Sequence, residues 1–430
     1  MISDFKSHVF ENFPELRDQP FLLAVSGGLD SIVLLNLFLE LNYQFSIAHC
    51  NFKLRGDESE LDSSFVKSIG TENNLKTFIK DFNTEDFAKE NNLSVQLAAR
   101  ELRYDWFDEI SNKNKLKYIV TAHNLNDQLE TFLINVSRGT GIDGLIGIPN
   151  VNRNVLRPML IFNRKEINKY ALKNKLRWRE DSTNSKSDYL RNAIRNNIVS
   201  SWKKIDPDLL NNFGKTIKNI SLAQQALKNN IFKWEMDNFL PEKEVIKIPI
   251  DKIKKFIPLE FFIFEIFKKY GFYNLRDLKN IITAETGKCL YSKTHRLLKD
   301  RKYLILDLKR KKNKHEYIWD GKNKIDFPIK LKIVNQIKSN INYASFDRDK
   351  IKFPLTIRKW KDGDLFYPEG IDGKKKLSKF FKDEKINLFD KERQWLLCSN
   401  KKIMWIIGKK PDRRFVSKKI SKNKIIIKCF

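Results

Sequence analysis

The chain has 430 residues and a net charge of +29. That length exceeds one compact core and predicts two or three domains, and 41% hydrophobic content with 12% aromatics excludes a disordered protein. The charge is uneven: residues 301–430 carry 37 Lys and Arg against 15 Asp and Glu, whereas residues 1–300 are only +7. A Lys-rich composition accounts for part of this excess but not for its concentration, which points to a polyanion held by the C-terminal third.

Cys50, Cys289, Cys398 and Cys429 form no CxxC pair, so neither a zinc site nor a disulfide framework is expected. The start Met1-Ile2-Ser3-Asp4 lacks a basic segment followed by an apolar one. No run approaches the ~18 apolar residues of a membrane span. A soluble, cytoplasmic protein without membrane partners is expected.

In chain order, Phe21 to Val25 reads as a buried strand and Ser31 to Leu41 as a helix. Phe45 to His49 is a second strand, and Leu75 to Phe82 a third. Ser94 to Ser111 is helical, Tyr118 to Ala122 a fourth strand, and a helix follows through Val136. This alternation predicts an α/β domain with a parallel sheet covered on both faces, whose ligands bind beyond the carboxyl ends of the strands. Residues 160–200 read as helical and basic. Amphipathic segments such as Ile217 to Phe239 and Pro258 to Lys269 predict a mainly helical middle domain. Arg310 to Lys324 is a polar boundary, and residues 345–430 mix short β-rich runs with Lys clusters, a small α+β domain. The expected domains are thus 1–210, 211–325 and 345–430.

Ser26-Gly27-Gly28-Leu29-Asp30-Ser31 follows the first strand and opens a helix. Adjacent glycines let the backbone approach an anion, and the helix N-terminus adds partial positive charge. The hydroxyls of Ser26 and Ser31 are expected as further donors. No Lys follows the glycines, so this is not the GxxxxGK[ST] loop. Asp30 would repel bare phosphate, and makes sense as a ligand for Mg²⁺ bridging phosphate oxygens. An ordinary Gly turn with an acidic cap is the plain alternative. After the fourth strand, Asp127 and Glu130 lie three apart on a helix, share a face, and are expected to look into the same crevice, with His123 at the strand end. Arg100 and Arg103 share a face suited to phosphate or carboxylate. A solvated helix face explains them equally well.

Together these segments resemble the tRNA(Ile)-lysidine synthase family of PP-loop ATPases. The resemblance runs through SGGLDS at 26–31, AHCNFKLRGDESELD at 48–62, AARELRY at 98–104, AHNLNDQLET at 122–131 and RGTGIDGLIGI at 138–148. It continues through LRPML at 156–160, RKEI at 164–167, WREDSTN at 178–184 and YLRNAIR at 189–195. Residues 358–386 look like that family's terminal domain; the middle matches loosely, chiefly at HRLLKDR, 295–301. Asn126 stands where many PP-loop relatives carry a first aspartate, which leaves Asp127 as the carboxylate.

The resemblance implies ligation of free lysine to the wobble cytidine of an isoleucine tRNA with a CAU anticodon. ATP would first adenylate the cytosine carbonyl, releasing pyrophosphate, and the lysine ε-amine would then displace AMP. It implies ATP contacts from Ser26 to Ser31, His49 and His123, with Mg²⁺ on Asp30 and Asp127. Catalytic roles would fall to Asp30, Asp127, Glu130 and Arg100. Contacts to tRNA would come from Arg191, Arg195, Lys374, Lys375, Lys376 and Lys379, and a homodimer stays open. Trp360, Phe366, Tyr367, Phe380 and Phe381 sit among the C-terminal lysines, most of them expected in a small core. The rivals are another PP-loop tRNA-modifying enzyme and a non-catalytic tRNA-binding relic. Sulfur transfer would need the paired cysteines that are missing, and a relic would have lost Asp30, Asp127 or the glycines.

Overall fold

The computed structural model describes residues 1–180, 190–310, 315–322, 324–335, 342–369, 373–417 and 423–430. The chain divides into two compact units, residues 1–228 and 229–430.

The N-terminal unit is built on six strands: β1 (Phe21–Ala24), β2 (Phe45–Asn51), β3 (Thr77–Asp81), β4 (Ile119–Val120), β5 (Val151–Asn152) and β6 (Val155–Leu156). Their order is β3-β2-β1-β4-β6-β5, parallel except for the terminal β5. The chain leaves β1 toward β2 on one side and later returns to β4 on the other. The crevice at the carboxyl ends of β1 and β4 is therefore the topological switch point.

The strand pattern explains the two layers. Side chains alternate across a strand, so Phe21, Leu23 and Val25 join one buried cluster with Phe5, Val33, Phe38, Ile47 and Ile167. Leu22 faces the other way, into a second cluster with Ala48, Trp106, Phe107 and Ile119. Helices therefore cover both faces, as the strand–helix alternation predicts. One of them, Leu29–Glu40, buries Leu29, Ile32, Val33, Leu34, Leu35, Leu37 and Phe38. A helix apolar nearly all round is a core helix, and Phe38→Ala there would cost about 3–5 kcal/mol.

In the second unit, helices Leu259–Phe267 and Leu275–Thr283 accompany an antiparallel sheet of five strands spanning Leu240–Glu242 to Tyr303–Leu308. The helical middle region is as expected; the sheet was not foreseen. Farther on, a four-stranded sheet from Tyr317–Trp319 to Lys402–Ile406 and a three-stranded sheet around Lys424–Cys429 enclose Phe346, Leu355, Trp405 and Ile427. Phe366, Phe380 and Phe381 are buried with Leu377 and Ile406. Those three aromatics are core, leaving the lysines between them outside.

Candidate active site

The strand-to-helix turn after β1 is braced by its own hydroxyls. Ser31 Oγ donates to Gly28 O at 2.9 Å. With that proton used, the Ser26 hydroxyl donates to Ser31 Oγ, 3.1 Å away. The amides of Gly28 and Ser26 donate to Ser26 Oγ and Ser31 Oγ in turn. In this arrangement both hydroxyls close the turn, and the expectation that they donate to phosphate stays a proposal. Gly27 has φ +89°, a left-handed conformation that strains any residue with a Cβ. Its carbonyl accepts the Arg179 N–H at 3.0 Å.

The turn borders a cavity of about 610 Å³ at the carboxyl edge of the sheet. Asp30 enters it from the first turn of its helix, and Asp127 from the first turn of Leu125–Ser137. These two helices follow β1 and β4, so neighbouring strands deliver both carboxylates to one place. Asn124 links them: its Nδ2 donates to Asp30 Oδ1 at 3.0 Å, and its backbone N–H donates to Asp127 Oδ2 at 3.0 Å in a capping box. Burial raises the Asp30 pKa, Arg164 beside it opposes the rise, and the charge of Asp127 adds to it.

Five arginines line the cavity: Arg103, Arg164, Arg179, Arg191 and Arg195; no described lining residue is a lysine. Their orientation is set by carboxylates. Nearly buried Asp62 holds Arg55 at 2.7 Å and also grips Arg179 Nε. Arg191 and Arg195 each bind both Asp127 and Glu130: Arg191 at 3.2 and 2.8 Å, Arg195 at 3.4 and 2.5 Å. The two arginines come from helix Leu190–Ala193 and the π-turn Ile194–Val199.

Several expected residues stand elsewhere than their spacing suggested. Glu130 shares a face with Asp127 but is only 1% exposed, and sits behind the arginines rather than on the cavity wall. Arg191 and Arg195, expected at tRNA, are on that wall. Arg100 is exposed and packs over Tyr104, while Arg103, one turn on, lines the cavity. His49 is buried in the sheet with Nδ1 2.9 Å from Val25 O. Since a carbonyl only accepts, Nδ1 carries the proton, and His49 braces the end of β1. His123 does line the cavity. It bonds Thr121 through Nδ1 at 2.9 Å, and burial, aided by nearby arginines, pushes its pKa down to about 3. Lys374, Lys376 and Lys379 are exposed, whereas Lys375 pairs with Asp383 at 2.7 Å. Of the WREDSTN segment, residues 181–184 lie outside the described residues, as does Tyr189.

Nothing in the local sequence assigns a role to Asp62, Arg164 or Arg179. Arg164 and Arg179 fell within quoted motifs, RKEI and WREDSTN, but come from segments far from the loop in sequence. Only folding shows that they meet it.

The chain matches a PP-loop domain family model over residues 1–202, a TilS substrate binding domain over 241–310 and a TilS substrate C-terminal domain over 355–426. A tRNA(Ile)-lysidine synthase of Parabacteroides distasonis is 37% identical, with 96% of this chain and 95% of the relative aligned. The chain belongs to the tRNA(Ile)-lysidine synthase family. The enzyme of the same name from Bacteroides thetaiotaomicron is 36% identical over 98% of this chain and 97% of its own length. That of Porphyromonas gingivalis is 32% identical over 94% and 92%. Membership of a PP-loop family means ATP use. None of the described helices is long and apolar enough to cross a membrane.

Proposed function

We propose that this chain ligates free lysine to the wobble cytidine of tRNA(Ile) with a CAU anticodon, through an adenylated cytidine, with release of pyrophosphate and AMP. The supporting observation is the convergence of the Ser26–Ser31 turn, Asp30 and Asp127 in one arginine-lined cavity at the sheet's switch point.

The first step forms a bond between the cytosine carbonyl oxygen and the α-phosphate and breaks the bond to pyrophosphate. The carbonyl is a weak nucleophile, so positioning supplies much of the rate. Charge that builds on the departing pyrophosphate is met by helix N-terminal amides and by guanidinium groups already held in place. The base must leave its stack to reach the cavity. In the second step the lysine amine attacks the activated carbon and AMP departs. The ammonium must first lose a proton, and Asp30, Asp127 and Glu180 are the carboxylates on the wall.

Asp30 and Asp127 would also hold Mg²⁺. Among the described residues no three His, Cys, Asp or Glu side chains form a metal cluster. Two carboxylates suit Mg²⁺, which takes one or two from protein and fills the remaining positions with phosphate oxygens and water. When bound, the cation supplies charge neutralisation at the phosphates.

The decisive assay mixes the protein with ATP, labelled lysine and the isoleucine transcript with a CAU anticodon. Lysine should enter the RNA with stoichiometric AMP and pyrophosphate, and should not enter the methionine tRNA with the same anticodon. No label in the isoleucine transcript, with an active control enzyme, would sink the reading.

A further inference from the structure

Two separate family models cover parts of residues 229–430, yet those residues form one compact unit. The joint between the matched parts is ionic at its centre. Asp307 lies in strand Tyr303–Leu308 with its side chain fully buried. Its Oδ2 accepts from Arg296 at 2.6 Å, and its Oδ1 from Arg393, also at 2.6 Å. Arg296 is directly opposite Asp307 on the neighbouring strand, within the first matched part. Arg393 ends helix Leu388–Arg393, within the second. The connection runs both ways. Arg296 reaches Glu392 at 2.5 Å and covers the Phe389 ring at 4.2 Å. Arg393 lies 3.5 Å from Glu244, and Arg301 donates to Lys385 O at 2.9 Å. Leu298, Ile305 and Phe389 form the buried apolar cluster beneath.

An apolar contact alone would hold two parts together while tolerating small rotations. A buried carboxylate with one arginine per oxygen, each arginine from a different part, tolerates few. Losing either arginine leaves one oxygen of a buried carboxylate without its partner, so the ionic core fixes orientation as well as contact.

We propose that Asp307, Arg296 and Arg393 are positioning residues for tRNA: they hold the basic segment around Lys374–Lys379 at a set angle to the middle domain, so that both grip one tRNA at once. This rests on the function proposed above. Two weak contacts on a rigid frame act on one ligand at high effective concentration, and the gain disappears when geometry forbids simultaneous engagement.

The test uses the full chain carrying Asp307→Asn or Glu392→Gln. Each is titrated with full-length isoleucine tRNA and with its anticodon stem–loop, too short to reach both contacts. Asp307→Asn should weaken full-length tRNA at least ~10-fold and leave the stem–loop within ~2-fold. It should raise KM for tRNA more than it lowers kcat. Glu392→Gln should act in the same direction by a smaller factor, and it decides the matter if Asp307→Asn fails to fold. Equal weakening of both RNAs, or no weakening of either, overturns the proposal. Failure of the unaltered full chain to put labelled lysine into the isoleucine transcript would instead overturn the reading on which it rests.

Discussion

Asp62 in the N-terminal unit and Asp307 in the C-terminal unit are built alike: each is nearly buried and each holds two arginines, one per carboxylate oxygen. Asp62 presents Arg179 to an open cavity, whereas Asp307 turns both its arginines to a joint. The surroundings differ in the same sense. Residues 1–300 are nearly balanced at +7, with charge fixed in ion pairs around one crevice, while residues 301–430 add a surplus of 22 positive charges, Lys374, Lys376 and Lys379 facing water. Chemistry at one phosphorus atom needs a few charges that do not move. Holding a long polyanion needs many that can adjust.

Separate disabling of the two regions sharpens that contrast. The largest effect is expected for Asp30→Ala, which should lower adenylation by about 10²–10³-fold or more, read as pyrophosphate release, with tRNA affinity within ~2-fold. Equal loss of both would make Asp30 a structural residue and erase the division of labour. Next, replacing Lys374, Lys376 and Lys379 together by Ala should leave ATP affinity alone and reduce the slope of log K for tRNA against log salt by about 2–3. An unchanged slope would move the RNA grip elsewhere.

The effect smallest at neutral pH is an acid limb of stability. His123 has its folded pKa pushed down to about 3 from an ordinary 6.5. Below 6.5 the unfolded chain takes up a proton that the folded chain refuses, so stability falls as pH drops toward 3, by at most about 1.4 kcal/mol per unit. Urea titrations of His123→Gln should show a flatter limb across that window. A limb as steep as that of the parent chain would assign the loss to other groups.

Much of the catalytic unit was legible because its signals are local. Apolar strands followed by helices state a parallel sheet. Asp30 and Asp127 each lie just past the end of a strand, so their meeting follows once β1 and β4 are neighbours. What depends on distant segments was not legible. The spacing of Asp127 and Glu130 puts them on one face but does not say that arginines 61 and 65 residues later would seal Glu130 away. Arg100 and Arg103 are equivalent in pattern and separated only by where the helix meets the cavity. The middle sheet was missed because strands such as Val245–Pro249 and His295–Asp300 are short and carry lysines, which hides the alternation that helices Leu259–Phe267 and Leu275–Thr283 show plainly.

The cavity wall carries arginine and, among its described residues, no lysine, and this bears on chemical selectivity. An adenylated cytidine is an electrophile made to be captured by a primary amine. A wall lysine, its proton loosened by burial and neighbouring cations, would be such an amine at high local concentration, and would cross-link the RNA to its own catalyst. Arginine supplies the same positive field and stays protonated, so it cannot compete. The described wall can therefore stabilise the activated base without itself reacting with it, which leaves the product-forming step to an amine that diffuses in.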